Sequence, residues 1–201
     1  RIAWIQCVGS RDFECGNEYC SSICCMMATK QALVSGDHVD GLDATIFYMD
    51  IRAFGKDFDQ YYERARAQKN IHYIKSMPSR VIQLPGSSDL RLNYYDQSNS
   101  IQYKDFDLVV LSVGMEPPAS MAQFASRLDI KLNDFGFCKT DRLSPLTTSI
   151  PGVFVGGAFQ EPKDIPETVT QASAAASMAM ELLAPVRNTL ITKKSYPTEH
   201  D

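Results

Sequence analysis

Five of the six cysteines in this 201-residue chain, Cys7, Cys15, Cys20, Cys24 and Cys25, fall within the first 25 residues, and Cys138 stands far from them. Thiolates are soft ligands that suit zinc and iron–sulfur clusters, so such a dense group points first to metal chemistry. Disulfides are the competing explanation, but the adjacent pair Cys24 and Cys25 is awkward to fit into a disulfide framework. Two familiar patterns are missing: there is no C-x-x-C dithiol, and no ferredoxin-type run with a cysteine at every third residue. Structural zinc and buried free thiols stay open beside a cluster.

The elements around this group must position it. Ile2–Val8 is an apolar run that reads as a strand, and residues 22–34 mix Ile, Met, Ala and Leu in helical spacing, with Gly36 and Asp37 expected to end the helix as a C-cap. Strand, loop and helix in that order form a nucleotide-binding unit. The loop, however, lacks the G-x-G-x-x-G that lets backbone approach a pyrophosphate. Cys7 is expected at the C-terminal end of the strand, with Cys20, Cys24 and Cys25 at the start of the helix, where the dipole and free N–H groups favour thiolates.

Residues 44–49 (ATIFYM) form a second apolar strand. Asp50 and Arg52 follow it, where a pyridine-nucleotide domain holds its ribose contact; without the glycine loop they are expected as a solvated strand end or an inter-domain contact. Residues 58–68 read as an amphipathic helix whose Phe58, Tyr61, Tyr62 and Ala65 face the core. Residues 71–74 form a short strand on which His72 is a satisfied or exposed strand residue. Segments 80–84, 90–95 and 100–103, separated by the turn-forming PGSSD and DQSN, predict an antiparallel meander. The continuous run 108–113 (LVVLSV) predicts a parallel strand buried on both faces. Beyond it come a short helix over 121–128, an extended piece over 135–140 with Cys138 as a small apolar filler, a strand in GVFVGGA and an Ala-rich helix over 166–183.

Net charge is −4, with 20 basic and 24 acidic residues interspersed, so no nucleic-acid footprint exists. No apolar run approaches the roughly 18 residues of a membrane span. A reducing cytoplasmic location is expected. The chain opens on a strand without an initiating Met and ends in the polar TKKSYPTEHD, so a piece of a longer polypeptide is expected. Three scattered histidines and no Ser/His motif leave no nucleophile–base constellation, and no catalytic residue is assigned.

The stretches IQCVGSRD, N-x-YCSSICCMMATKQA, YMDIRAFGKDF and GVFVGGAFQEPKDIPETVTQASAAA closely resemble the A subunit of heterodisulfide reductase and its relatives in anaerobes, over nearly the whole chain. In that family an unusual [4Fe-4S] cluster is bound by one cysteine on a strand, one about a dozen residues later, and a closing C-x-x-x-C-C. The resemblance implies that Cys7, Cys20, Cys24 and Cys25 are the ligands, with Cys15 outside the pattern.

The order of elements is similar to the inserted second domain of thioredoxin reductase-like flavoproteins, with DLVVLSVGMEP as the return to the flavin domain. The fold class this implies is α/β: a three-layer nucleotide-binding-like domain of parallel sheet, helices and antiparallel β-meander, plus the C-terminal part of an FAD-binding domain. The corresponding divisions are residues 1–113, 114–185 and a polar tail over 186–201. Gly114 would serve the turn, Gly157 keeps the glycine of the flavin-binding strand end, and Ala158 replaces the acid that binds the ribityl chain in those relatives. Gln171 and Ala172 match the Gln-Ala of the flavin-facing helix, with Thr168 and Lys163 as neighbours.

The function implied is electron relay between FAD and the cluster, toward partner subunits that reduce disulfides, with a hydrogenase or another protein as donor. A homodimer is compatible with this reading. The FAD site is incomplete within these residues. Two alternatives stay open: a pyridine-nucleotide-dependent FAD oxidoreductase domain, and a non-catalytic subunit-docking module held by structural zinc or free thiols.

Overall fold

The computed structural model describes residues 1–186 and forms two compact units, one from Arg1 to Glu116 together with Pro162–Asp164, the other from Pro117 to Glu161 and onward from Ile165. The expected polar tail, apart from Val186, lies outside the described residues.

The first unit is built on a four-stranded parallel sheet. Its strands are β1 (Ile2–Val8), β2 (Ala44–Tyr48), β3 (Ile71–Lys75) and, returning last, the segment Leu108–Val113, in the order β3-β2-β1 and then that segment. Between β1 and β2 runs α1 (Cys24–His38), and between β2 and β3 runs α2 (Phe58–Arg66). The opposite face carries the meander of β4 (Arg80–Gln83), β5 (Leu90–Tyr95) and β6 (Ile101–Phe106), after which Leu108–Val113 is β7. Helices, sheet and meander make the three layers of the α/β fold expected from the sequence.

Strand alternation divides the core. Trp4, Ile46 and Ala44 pack against Ala28 and Ala32 of α1, and the indole Nε1–H of Trp4 donates to Gln31 Oε1 at 2.9 Å. On the other face Ala3, Ile5 and Phe47 meet Leu92 and Phe106 of the meander. Each large apolar side chain so buried contributes roughly 1.5–3 kcal/mol. Small residues, Ala3, Ala28, Ala32 and Ala44, all fully buried, let the layers approach closely. In α2, Tyr62 stacks edge-on against Tyr73 with centroids 5.1 Å apart and Ala65 is fully buried, whereas Phe58, Tyr61 and Tyr62 are half-buried, so the aromatic stripe lies at the margin of the core rather than inside it. His72 Nε2 lies 3.1 Å from Asp43 Oδ1, as a satisfied strand residue.

Three expectations need correction. α1 does not stop at Gly36: the Ser35 carbonyl accepts the Val39 N–H at 3.0 Å and the helix runs to His38, the left-handed turn coming only at Gly41 (φ +73). Strand β7 is not buried on both faces, because it lies at the sheet edge and leaves Leu108, Leu111 and Val113 exposed. GVFVGGA forms no regular strand. Phe154 makes one isolated bridge with Thr147, the Val155 N–H donates to the Leu146 carbonyl at 2.9 Å, and the chain then enters a 3-10 turn over Gly157–Phe159.

The second unit has a small core of Ala125, Ile130, Cys138 and Val155, with Cys138 1% exposed as an apolar filler. The expected extended piece over 135–140 is tied by an isolated bridge between Leu132 and Cys138. Among the described residues its α-helices are α3 (Met121–Arg127) and α4 (Ile165–Leu183).

Candidate metal centre and flavin segment

The cysteine loop begins with an unusual backbone. Cys7 adopts a left-handed conformation (φ +57), where the register of β1 against β7 shifts between Ile5 and Val8, and Gly9 (φ +70) follows suit. A non-glycine residue there is uncommon and persists only where its surroundings fix it. The Ser10 N–H closes the turn on the Cys7 carbonyl at 3.1 Å. Asp12 and Asn17 then exchange both backbone hydrogen bonds at 3.0 Å, and the Arg11 N–H donates to the Tyr19 carbonyl, so residues 11–19 double back as a small hairpin.

That hairpin is pinned to the segment leaving β7. Asn17 Nδ2 donates to the Gly9 carbonyl at 3.1 Å and to Glu116 Oε1 at 2.6 Å, and the Tyr19 hydroxyl donates to the Met115 carbonyl at 2.9 Å. The buried hydroxyls of Ser10 and Ser21 share a hydrogen bond of 2.7 Å, and Ser21 Oγ accepts the Met115 N–H at 2.9 Å. A Cβ on Gly114 would fall 2.1 Å from Ser10 Oγ and 2.4 Å from Ser21 Oγ. Glycine is therefore required at 114 by close packing against the loop.

The loop and α1 gather four thiols. Cys7, Cys24 and Cys25 are buried and Cys20 is half-buried, whereas Cys15 is exposed and its thiol donates to Asp12 Oδ2 at 3.3 Å, outside the group. All six cysteines are free. The Ser22 N–H, held by another left-handed residue (φ +62), donates to Cys20 Sγ at 3.3 Å. Cys24 and Cys25 occupy the first turn of α1, whose N-cap Ile23 supplies no side-chain bond and whose first turn holds no acid, so the positive end of the helix dipole is uncompensated there. The Cys24 thiol approaches the Val113 carbonyl at 3.8 Å and the Cys25 thiol the Asp50 carbonyl at 3.7 Å.

Burial pushes the Cys7 thiol up, with Arg11 opposing it, and raises Cys25; at Cys24 burial and then the charges of Cys7, Cys25 and Cys20 push it up to about 11. These four groups are thus close enough for their charges to act on one another. Backbone amides work in the opposite direction, that of Cys7 favouring the Cys24 thiolate and that of Arg52 the Cys25 thiolate. Among the described residues no three His, Cys, Asp or Glu side chains converge on a single metal-ion position.

Asp50 and Arg52 belong to this centre, which their position in the sequence alone does not reveal. Arg11 donates to Asp50 Oδ1 at 2.7 Å and Arg52 Nε to the same oxygen at 3.3 Å. Burial works against the Asp50 carboxylate, but Arg11, joined by Arg52, holds it below the ordinary carboxylate range. Arg11 is the residue that the sequence reading missed; the signal available was its place four residues beyond Cys7 in IQCVGSRD.

The residues expected to contact flavin divide. In the second unit Gly157 (φ +70) is buried, its N–H donates to Gln171 Oε1 at 2.8 Å, and Gln171 Nε2 donates to Gln160 Oε1 at 3.2 Å. A Cβ on Gly157 would lie 2.9 Å from Thr168 Cγ2, so Gly157, Thr168 and Gln171 form one packed junction. Ala158 and Ala172 are exposed. Gly114 and the buried Lys163 fall in the first unit.

Residues 15–176 match the model of the pyridine nucleotide-disulphide oxidoreductase family. The chain is 42% identical over 187 residues to an iron-sulfur A subunit of the CoB–CoM heterodisulfide reductase of Methanopyrus kandleri, an alignment covering 92% of this chain and 28% of that protein. It is also 42% identical to the A subunit of the H(2)/formate:CoB-CoM heterodisulfide,ferredoxin reductase of Methanococcus maripaludis, over 88% of this chain and 27% of that one. The chain therefore spans little more than a quarter of the length of these relatives. Among solved structures, the bacillithiol disulfide reductase of Bacillus cereus shares the fold, with a TM-score of 0.52 at 12% identity, over 90% of this chain and 50% of that one. With its cysteine loop and its three layers, the chain belongs to the pyridine nucleotide-disulphide oxidoreductase family and is homologous to the A subunit of heterodisulfide reductase.

Proposed function

We propose that this chain is the electron-transfer part of a heterodisulfide reductase-type subunit, in which Cys7, Cys20, Cys24 and Cys25 hold a [4Fe-4S] cluster and the Gly157 junction forms part of an FAD site. The observation that carries the reading is the loop itself. It turns back through a left-handed Cys7, brings four thiols within range of one another's charge, and supplies the Ser22 N–H to a sulfur. The four thiolates would hold such a cluster, one for each iron.

When bound, the cluster supplies one-electron transfer, and the flavin exchange of one or two electrons. The protein's own contribution is to bind, to bury and to tune. Cys24 and Cys25 give up their protons on ligation, which offsets the cost that burial sets on their thiolates in the free loop. Backbone amides of Cys7 and Arg52, the Ser22 N–H and the start of α1 favour the thiolate form. At the flavin segment, the start of α4 would present backbone groups to the flavin, while Gln171 accepts the Gly157 N–H and holds that turn in shape. Ala172 completes the residues of the second unit assigned there, and Gly114 acts by seating the cysteine loop. Partners are the other subunits of such a complex and an electron donor such as a hydrogenase, in the cytoplasm of an anaerobe. No described helix is long and apolar enough to cross a membrane.

The test is purification without oxygen, followed by iron, acid-labile sulfide and zinc analysis and low-temperature EPR of the reduced protein. Four irons and four sulfides per chain are expected, lost in a Cys24→Ser, Cys25→Ser double variant. Zinc alone, or no metal after reconstitution, sinks the assignment; NADPH binding without iron would favour a pyridine-nucleotide reductase domain.

A further inference from the structure

We propose that Arg11 and Asp50 form a charge pair that sets how readily the cysteine centre accepts an electron, Arg11 favouring the reduced form and Asp50 the oxidised one. This rests on the cluster reading of the four cysteines.

The geometry links the pair to the centre from two sides. Arg11 belongs to the loop that carries Cys7 and Cys20, and its backbone is held left-handed (φ +56) with its N–H on the Tyr19 carbonyl at 3.0 Å. Asp50 follows β2 and faces the centre through its backbone, since its carbonyl lies 3.7 Å from Cys25 Sγ while its side chain receives Arg11 at 2.7 Å. One residue thus touches both a proposed ligand and the guanidinium. Arg11 is the more enclosed of the two, 23% exposed against 45% for Asp50, and its charge acts on both Cys7 and Cys20. Arg52, at 3.3 Å from the same carboxylate oxygen and 42% exposed, completes the line of charges.

A surface ion pair of this kind contributes little to stability. Its position matters instead through the charge that changes beside it. One-electron reduction breaks no bond and moves no proton in this scheme, and it makes the centre more negative by one unit. A fixed cation a few ångströms away favours that change and a fixed anion opposes it. Arg11 belongs to the cysteine loop itself, its charge acts on Cys7 and Cys20, and Asp50 pairs with it, so removing the one charge or the other shifts the balance in opposite directions.

The experiment is an EPR-monitored redox titration of the anaerobically purified chain, with dithionite as one-electron reductant, in wild type, Arg11→Gln, Arg11→Lys and Asp50→Asn, after iron and sulfide have been counted in each. At a potential fixed at the wild-type midpoint, Arg11→Gln should lower the ratio of reduced to oxidised cluster by roughly tenfold. Asp50→Asn should raise it, and Arg11→Lys should stay near wild type. Equal ratios in all four proteins, or shifts of the same sign in Arg11→Gln and Asp50→Asn, overturn the inference with the cluster assignment intact. Absence of iron from the wild type overturns both. Should Arg11→Gln not hold iron, Asp50→Asn decides alone: a rise supports the pair, and no change or a fall removes it.

Discussion

Gly114 shows how a single missing side chain shapes the cysteine loop. The sequence marks it as a turn residue after an apolar run, yet its φ is not in the left-handed region; its constraint is space, set by Ser10 and Ser21. Gly114→Ala must break the 2.7 Å hydroxyl pair and displace the Met115 N–H from Ser21, or move β7. Overpacking of this kind typically costs about 1–3 kcal/mol. Urea unfolding should show a loss in that range for Gly114→Ala, and a smaller loss when Ser10→Ala and Ser21→Ala are already present, because neighbouring changes are not additive. Equal losses in both backgrounds would show that the serines do not set the requirement. At this scale the sequence is legible where chemistry demands a residue type at a spacing, as with the cysteines. It is silent where two residues far apart meet, as with Arg11 and Asp50, because that meeting depends on the left-handed turn at Cys7 and on β2 lying beside β1.

Among the elements, strand β2 joins the parallel sheet to the meander through Phe47. This ring is fully buried, with Tyr94 edge-on at 5.0 Å and Phe106 at 6.1 Å between centroids. Phe47→Ala should lose about 3–5 kcal/mol, since it removes both the buried area and two aromatic contacts; a loss below about 1 kcal/mol in denaturant titration would mean that the layers do not depend on it. The turn between β5 and β6 is organised by Asp96, whose Oδ1 accepts from the Ser98 N–H, the Ser98 hydroxyl and the Ser100 N–H, and whose Oδ2 accepts from Gln102 Nε2 at 2.8 Å. The Ser98 hydroxyl and Ser100 N–H bring its carboxyl down to about 2, from an ordinary value near 3.9. A depressed carboxylate stabilises the fold above its unfolded pKa and loses that contribution as pH falls through its folded one. Protection of the Ser98 and Ser100 amides, measured as exchange relative to the intrinsic rate at each pH, should therefore be high at pH 6 and fall between about pH 4 and 2, and Asp96→Asn should flatten that change. The three meander strands were readable from turn residues and alternation. The edge position of β7 was not, because a continuous apolar run looks the same in a central strand and in an edge strand. The continuation of α1 through Gly36 was hidden for a similar reason, since glycine permits a left-handed cap without requiring one.

For the whole molecule, the two proposed cofactors make unequal demands on these residues. All four proposed cluster ligands lie at the end of β1, in the loop that follows it and in the helix that loop feeds, and this stretch is held by hydrogen bonds inside the first unit. A flavin dinucleotide asks for more: its pyrophosphate needs close backbone approach at a glycine-rich turn ahead of a helix. No G-x-G-x-x-G occurs anywhere in the 201 residues. The Gly157 junction offers a fixed turn beside α4, but its best-placed side chain, Gln171, is already committed to the Gly157 N–H and to Gln160. The physical expectation is that the cofactors part company in this chain. Purified without oxygen, it should carry iron and sulfide while releasing far less than one flavin per chain on heat denaturation, and added FAD should bind weakly in a fluorescence titration. Metal ligation couples to folding, so exposure to air should also lower the melting temperature of the iron-loaded protein, whereas added FAD should leave it nearly unchanged. Stoichiometric flavin that survives gel filtration would show that backbone outside a glycine loop cradles the pyrophosphate here, and would turn attention to the start of α4 as the element that holds it.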